Sequence, residues 1–287
     1  MRKAFAMVAI LLLASMALIV PRAAAQSSGT WAIHPSDMAG QVQMRLEATR
    51  DDHGNFSFSH RVALSELRGL TAEQMASPSG ATVHFQIARE AGTIACDGYF
   101  KQNDGAGTFV FRADPRFVPA MHALGITDID ESRLLSMALM DVTTDYTRQI
   151  RSAGVNVETG KQVIELRIFD VTPEYVRDLR SLGYTSTEPR QLTKFRIFHV
   201  TPDSIRSFQS AGYHPDAEEL VKMSIFKVTP EFIAQVKQLG YADVPVEDLV
   251  KMRIFHVTPE YIREMRSRGL KDLTIEKLVK LRIAGID

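Results

Sequence analysis

The chain has 287 residues, and its 34 Lys and Arg balance 34 Asp and Glu, so it carries no formal net charge. That balance gives no global attraction to nucleic acid or to acidic membranes. A single cysteine, Cys96, excludes an internal disulfide, so stability has to come from packing.

The chain opens Met1-Arg2-Lys3, runs almost wholly apolar from Ala4 to Val20, and then reads Pro21-Arg22-Ala23-Ala24-Ala25-Gln26. A basic start, a short apolar run and a small-residue site read as a secretory signal peptide over 1–25, with cleavage after Ala25. The apolar run is shorter than the roughly 20 residues that span a bilayer. The expectation is an exported protein, periplasmic or extracellular, with no stable membrane span after cleavage.

Residues 26–112 read as a β-rich domain. After a polar linker from Gln26 to Thr30, Val42, Met44, Leu46 and Ala48 alternate with polar residues, the period of a half-buried strand. Asp51 to Asn55 supplies a turn, and Phe56, Phe58 and Val62 continue on a returning strand. Leu64 to Met75 reads as one short helix, broken by Ser77-Pro78-Ser79-Gly80. Val83, Phe85 and Ile87 alternate, Ile94 and Cys96 follow the Ala91-Gly92 turn, and Thr108 to Phe111 closes the set after a turn over Asn103 to Gly107. About five mostly antiparallel strands are expected, with one apolar face that needs a cover. The helix at 64–75 or the first helical repeat could supply it.

Residues 113–287 change to a helical period and repeat. Gly125, Gly154, Gly183, Gly212, Gly240 and Gly269 recur at 28 or 29 residues and mark six units. Val171-Thr172-Pro173-Glu174-Tyr175 recurs as Val200-Thr201-Pro202-Asp203, Val228-Thr229-Pro230-Glu231 and Val257-Thr258-Pro259-Glu260. This wording is helix-start chemistry. Thr172 caps an orphan N–H, Pro173 has no N–H to leave unpaired, and Glu174 suits the positive end of the helix dipole. Tyr175, Val176, Leu179 and Leu182 form an apolar stripe, and Gly183 takes the left-handed turn that ends the helix.

The second segment of each unit is ambiguous. Arg196-Ile197-Phe198-His199-Val200 alternates like a strand, whereas Glu218 to Met223 follows helical spacing and propensity. A strand-plus-helix solenoid therefore stays open beside a second helix of about ten residues, capped by acids such as Asp216 or Asp243. The fold class expected is α+β, a small antiparallel β domain followed by an α-helical hairpin array of six units that bury a shared core. Phe226 is expected in that core, and its truncation to alanine is expected to cost about 3–5 kcal/mol.

No Gly-x-Ser-x-Gly, His-Glu-x-x-His, phosphate-binding glycine loop or Cys-x-x-Cys is present. The eight histidines are dispersed. His199 and His256 share a unit position that elsewhere holds Asp141, Asp170, Lys227 and Gly285, which reads as a solvated connector. No enzyme activity, cofactor or metal is expected. The basic columns suggest binding more strongly. Arg148, Arg177, Arg206 and Arg263 share one first-helix position, with Ala234 as the gap; Arg151, Arg180, Lys237 and Arg266 share the next turn, with Gln209 as the gap. Arg167, Arg196, Arg253 and Arg282 align in the second segments, two places after Lys194, Lys222, Lys251 and Lys280. At fixed pitch these become ridges. A solvated face balanced by acids such as Asp178 and Glu264 explains them as well as a partner-binding surface does. A binding ridge would suit a protein or an anionic envelope component. Nucleic acid is not expected without an aromatic platform.

The wording Val257-Thr258-Pro259-Glu260-Tyr261-Ile262-Arg263, with Gly240-Tyr241 or Gly269-Leu270 and Asp248-Leu249-Val250-Lys251-Met252-Arg253-Ile254, resembles a family of bacterial exported helical-repeat proteins. Similar repeats form extracytoplasmic tails of antirepressor-type, beta-lactam-sensor-like membrane metallopeptidases. The resemblance runs from about Phe109 onward and covers the preceding β segment only loosely. It implies a module for sensing or interaction. Peptidase activity does not carry over, because this chain lacks the zinc motif and the multi-span membrane domain. The expected function is an exported, non-catalytic binding module of unknown oligomeric state. Its rivals are a purely structural envelope protein and a hydrolase or inhibitor-like protein. The latter would need a site between the β domain and the first repeats, where His60, His84 or Asp97 meet Ser57 or Ser59.

Overall fold

The computed structural model describes residues 26–50 and 54–286. The signal segment expected at 1–25 and the tip of the Asp51–Asn55 turn at 51–53 lie outside the described residues. Six strands form one antiparallel sheet: β1 (Gln26–Pro35), β2 (Gln41–Arg50), β3 (Gly54–Ala63), β4 (Ala81–Arg89), β5 (Gly92–Lys101) and β6 (Asp104–Ala113), in the order β3-β2-β1-β6-β5-β4. Two three-stranded meanders thus join through β1 and β6, with Trp31 opposite Gly107 and Ile33 opposite Gly105.

The sheet corrects the sequence reading at three places. The stretch taken as a linker, Gln26 to Thr30, begins a central strand, so there are six strands where about five were expected. Glycines on the neighbouring strands are what let Trp31 lie flat across the sheet. The Trp31 ring passes over Gly98 and Gly107, where a Cβ would come within 2.4 and 2.8 Å of it, and its Nε1 donates to the Asp97 carbonyl at 3.2 Å. The helix expected over 64–75 is instead a 3-10 turn (Leu64–Glu66), a bend at Gly69, and a single capped turn α1 (Ala72–Ala76). The turn expected over Asn103–Gly107 is tighter. Gln102 and Asn103, both at positive φ, make a two-residue hairpin, and pairing resumes at Asp104.

Twelve helices follow in pairs: α2 (Phe117–Ala123), α3 (Glu131–Leu139), α4 (Thr144–Ser152), α5 (Gly160–Ile168), α6 (Pro173–Ser181), α7 (Pro189–Ile197), α8 (Pro202–Ser210), α9 (Ala217–Ile225), α10 (Pro230–Gln238), α11 (Val246–Ile254), α12 (Pro259–Ser267) and α13 (Ile275–Ile283). The second segment of every unit is helical, which settles the strand alternative. First helices stack on first helices (α2, α4, α6, α8) and second on second (α3, α5, α7), the arrangement of a hairpin array. The α+β class and the six units stand as expected. The apolar face of the sheet, with Ile33, Met44, Phe85, Ile94, Phe109 and Phe111 buried, is covered by α1 and by α3 of the first unit. Both covers anticipated from the sequence are used.

The capping chemistry falls where the Thr-Pro wording puts it. The Thr172 hydroxyl accepts from the Tyr175 N–H at 3.1 Å, and Asp216 and Glu219 cap α9 reciprocally. Asp243 is not a cap; α11 starts after Pro245 without a side-chain cap. Each of α2 to α13 closes with the same pair of hydrogen bonds. After α6, Gly183 N–H reaches Arg180 O and Tyr184 N–H reaches Leu179 O; after α7, His199 N–H reaches Arg196 O and Val200 N–H reaches Phe195 O. The variable column Asp141, Asp170, His199, Lys227, His256 and Gly285 is therefore the left-handed closing position of the second helices, at φ between 50° and 72°. Backbone geometry holds that place; Asp170, His199, Lys227 and His256 are exposed there, while Asp141 is half-buried and pairs with Arg89 and Arg167.

Phe226 is also corrected. It closes α9 and is 36% exposed, whereas Phe195, inside α7, is 1% exposed. The stacked core consists instead of residues such as Leu192, Phe195, Leu220, Met223, Leu249 and Met252.

Candidate functional site

The predicted arginine ridge is brought together but is already engaged within the chain. Arg148, Arg177, Arg206 and Arg263 each pair with the acid three residues earlier, at Asp145, Glu174, Asp203 and Glu260, with N–O distances of 2.5 to 3.1 Å. Glu174 and Glu260 have their carboxyl pKa lowered, first by hydrogen bonding to their own backbone N–H at the helix start and then by the capping threonine and the arginine together. The face is therefore charged but locally neutral.

The next column makes the joints between units. Arg151 reaches back to the Leu124 carbonyl, and Arg266 Nη2 donates to the Leu239 carbonyl at 2.7 Å. Gln209, counted as a gap, does the same to Leu182 at 3.2 Å. Each acceptor is the final carbonyl of the preceding first helix, an orphan that needs a donor. Arg180 lies against the Gly154 turn, 2.5 Å from where a Cβ would sit, and Lys237 is exposed.

The second-helix column makes a parallel set of joints. Arg167, Arg196 and Arg253 donate through Nε to the last carbonyls of the previous second helices, at Met140, Phe169 and Phe226, over 2.9 to 3.2 Å. The same guanidinium groups lie over the rings of Tyr146, Tyr175 and Phe232 at about 5 Å. Tyr146 and Tyr175 donate their hydroxyls onward to Val171 and Val200 at 2.8 and 2.7 Å. Burial raises both phenol pKa values from 10.0, so the hydroxyls stay donors. The lysine column is paired too, for example Lys194 with Glu218 and Lys251 with Asp248.

What the cations leave free is apolar. Ile168, Ile197, Ile225, Ile254 and Ile283, the last residue of five successive second helices, are 42–64% exposed. They sit two residues beyond the buried Leu166, Phe195, Met223 and Met252, about 200° around the helix, and so face away from the core. Stacked helices lie about 8–10 Å apart, so these side chains form a ladder of evenly spaced rungs along one edge. A repeated exposed apolar row is the feature that marks a docking surface. Sequence reasoning placed Phe226, the neighbour of Ile225, in the core and did not single out the isoleucines. The usable signal was the isoleucine recurring at the helix end, out of phase with the residues that pack.

The alternative catalytic grouping is not assembled. Ser57, Ser59 and His60 do line a cavity of about 580 Å³ between β3 and the first two units, beside Arg89, Asp141 and Arg167. On a strand, however, Ser57 and Ser59 share one face and His60 takes the other. The Ser59 hydroxyl accepts from Gln43 at 2.9 Å. His84 and Asp97 meet each other across β4 and β5 at 2.6 Å, both exposed and away from that cavity. Salt links brace the cavity wall: Arg89 pairs with Glu66 and with Asp141, and Glu90 caps α4 through Thr144. Cys96 is buried, and burial pushes its thiol up to about 12, so it packs as a small apolar residue. Among the described residues no three His, Cys, Asp or Glu side chains converge to hold a metal ion, and no helix is long and apolar enough to cross a membrane.

No protein-family model matches the chain, and a search of curated proteins found no match.

Proposed function

We propose that the protein is an exported, non-catalytic interaction module that docks a partner protein along the isoleucine edge of its helical array. The ladder of Ile168, Ile197, Ile225, Ile254 and Ile283 carries this reading, because five exposed isoleucines at one unit position cost solubility and add nothing to the core. The repeat wording supports it through its resemblance to exported repeat modules, and the N-terminal pattern of the sequence supports export. The arginine ridge is the weaker surface for an anionic envelope component, since six of its eight cations, all but Arg180 and Lys237, are paired with acids or bonded to carbonyls within the chain.

A photo-crosslinking amino acid placed at Ile225, with a second placement at Arg177, tests this in intact cell envelope or culture fluid. The expected result is one discrete adduct from position 225 and none from position 177. Adducts from position 177 alone would move the interface to the arginine face, and none from either would leave a purely structural role.

A further inference from the structure

The fourth unit departs from its siblings at two linked positions. Where other first helices carry Tyr146, Tyr175, Phe232 and Tyr261 at their third residue, α8 carries Ser204. Where the second helices carry Arg167, Arg196, Arg253 and Arg282, α9 carries Ser224. In the sibling units the arginine lies over the aromatic ring, so ring and lid are missing together. The joint itself survives, because the Ser224 hydroxyl donates to the Phe198 carbonyl as the arginines do to theirs. What unit four loses is bulk.

A cavity of about 330 Å³ stands there, lined by Val200, Phe208, Leu220, Met223 and Val228, with Ser204 and Ser224 at its rim. Phe208 is larger than the Ile150, Leu179, Val236 and Met265 of the sibling units and backfills only part of the space. The Val228 carbonyl occupies the place that accepts a phenol hydroxyl in units two and three, from Tyr146 at 2.8 Å and Tyr175 at 2.7 Å. The Ser204 hydroxyl does not replace that donor; it turns to the Thr201 carbonyl at 2.8 Å. The cavity wall includes Ser224, the residue before Ile225 in α9, and its size is at the low end for ligand sites.

We infer that this recess receives the side chain of a tyrosine presented by the docked partner, a phenol ring in the space the chain's own tyrosines fill elsewhere. The inference rests on the docking-edge reading above. The ring packs on Phe208, Leu220 and Met223, and its hydroxyl donates to the Val228 carbonyl. Specificity follows from that carbonyl. A phenylalanine fills the recess but leaves the acceptor without its donor, which weakens binding.

The test is a titration of the full chain with N-acetyl-tyrosinamide, read by the methyl NMR signal of Met223, with N-acetyl-phenylalaninamide and p-cresol as comparisons. The expected result is a saturable shift with the tyrosine probe, several-fold weaker binding of the phenylalanine probe, and no shift in the double variant Ser204→Tyr, Ser224→Arg, which restores the sibling pair. The double variant should also unfold at higher denaturant, because a filled cavity stabilises; that midpoint shows whether it has folded. Equal binding by wild type and a folded double variant, or no shift with any probe, overturns the inference. Binding of p-cresol without N-acetyl-tyrosinamide overturns it as well, since the recess would then admit only a free phenol. Should crosslinking at position 225 persist while the tyrosine probe fails, the docking edge stands and only the tyrosine recess falls.

Discussion

Arg177 and Arg196 look alike in sequence, each repeated at a fixed place in its column, but the structure gives them different work. Arg177 pairs only with Glu174 on the same helix, with both side chains more than half exposed. An exposed i,i+3 pair contributes about 0.2–0.5 kcal/mol, so Arg177→Ala should cost no more than that. Arg196 donates to the Phe169 carbonyl at 2.9 Å, meets Asp170 at 2.6 Å, and covers the Tyr175 ring at 5.1 Å. A partly exposed charge-assisted hydrogen bond at the low end of its range contributes about 1.5 kcal/mol. Stacking on the ring adds about 0.5–1 kcal/mol. The ion pair is mostly exposed on the Asp170 side and adds about 0–0.5 kcal/mol. Arg196→Ala should therefore cost about 2–3 kcal/mol. Urea unfolding followed by circular dichroism measures both variants, compared at unchanged m-value. Equal losses, or a larger loss for Arg177→Ala, would refute the division of the arginine columns into solvated and joint-forming sets.

Two further outcomes follow from burial. Phe195→Ala should destabilise by about 3–5 kcal/mol and Phe226→Ala by only about 1–2 kcal/mol, because one ring is enclosed and the other lies partly in solvent; the same urea midpoints check this. The raised phenol pKa values of Tyr146 and Tyr175 give a sign in alkali. The unfolded chain loses those protons at its ordinary pKa near 10, so the native state binds more protons above that point. Stability is then fully present below pH 10 and falls as pH rises above it. Absorbance titration of the native protein should find these two phenols still protonated at a pH where the tyrosines of the unfolded chain have ionised.

Local chemistry was readable from the residues, and long-range placement was not. Thr172-Pro173 and the recurring glycines announce where helices start and stop, because caps and left-handed turns depend only on near neighbours. The second helices were ambiguous because Arg196 to Val200 spans a helix end, a left-handed residue and a connector, and that sequence of conformations mimics strand alternation. The β1 strand was missed because Ser27-Ser28-Gly29 has no apolar signal of its own. It is a strand because β6, about 80 residues away, pairs with it, and because Gly29 allows the close approach of the Glu47 and Ala48 backbone on β2. The column holding Asp170, His199 and Lys227 was correctly read as solvated, but its cause is a φ near 50° that closes each helix. The isoleucine edge was hidden because Ile197 falls in the stretch Arg196 to Val200 that alternates like a strand. Position within the turn decides the matter, since Ile197 lies two residues past the buried Phe195. The unit-four recess was legible only as two broken columns, Ser204 and Ser224, whose adjacency across helices needs the fold.

The docking edge can be tested directly by comparing two variants in quantitative recovery of the partner crosslinked at position 225. In one, Ile197, Ile254 and Ile283 are changed to serine; in the other, Arg177, Arg180, Arg263 and Arg266 are. The account predicts that the isoleucine variant loses the partner by at least tenfold, while the arginine variant, if still folded, retains it. Retention by the isoleucine variant together with loss by the folded arginine variant would contradict it.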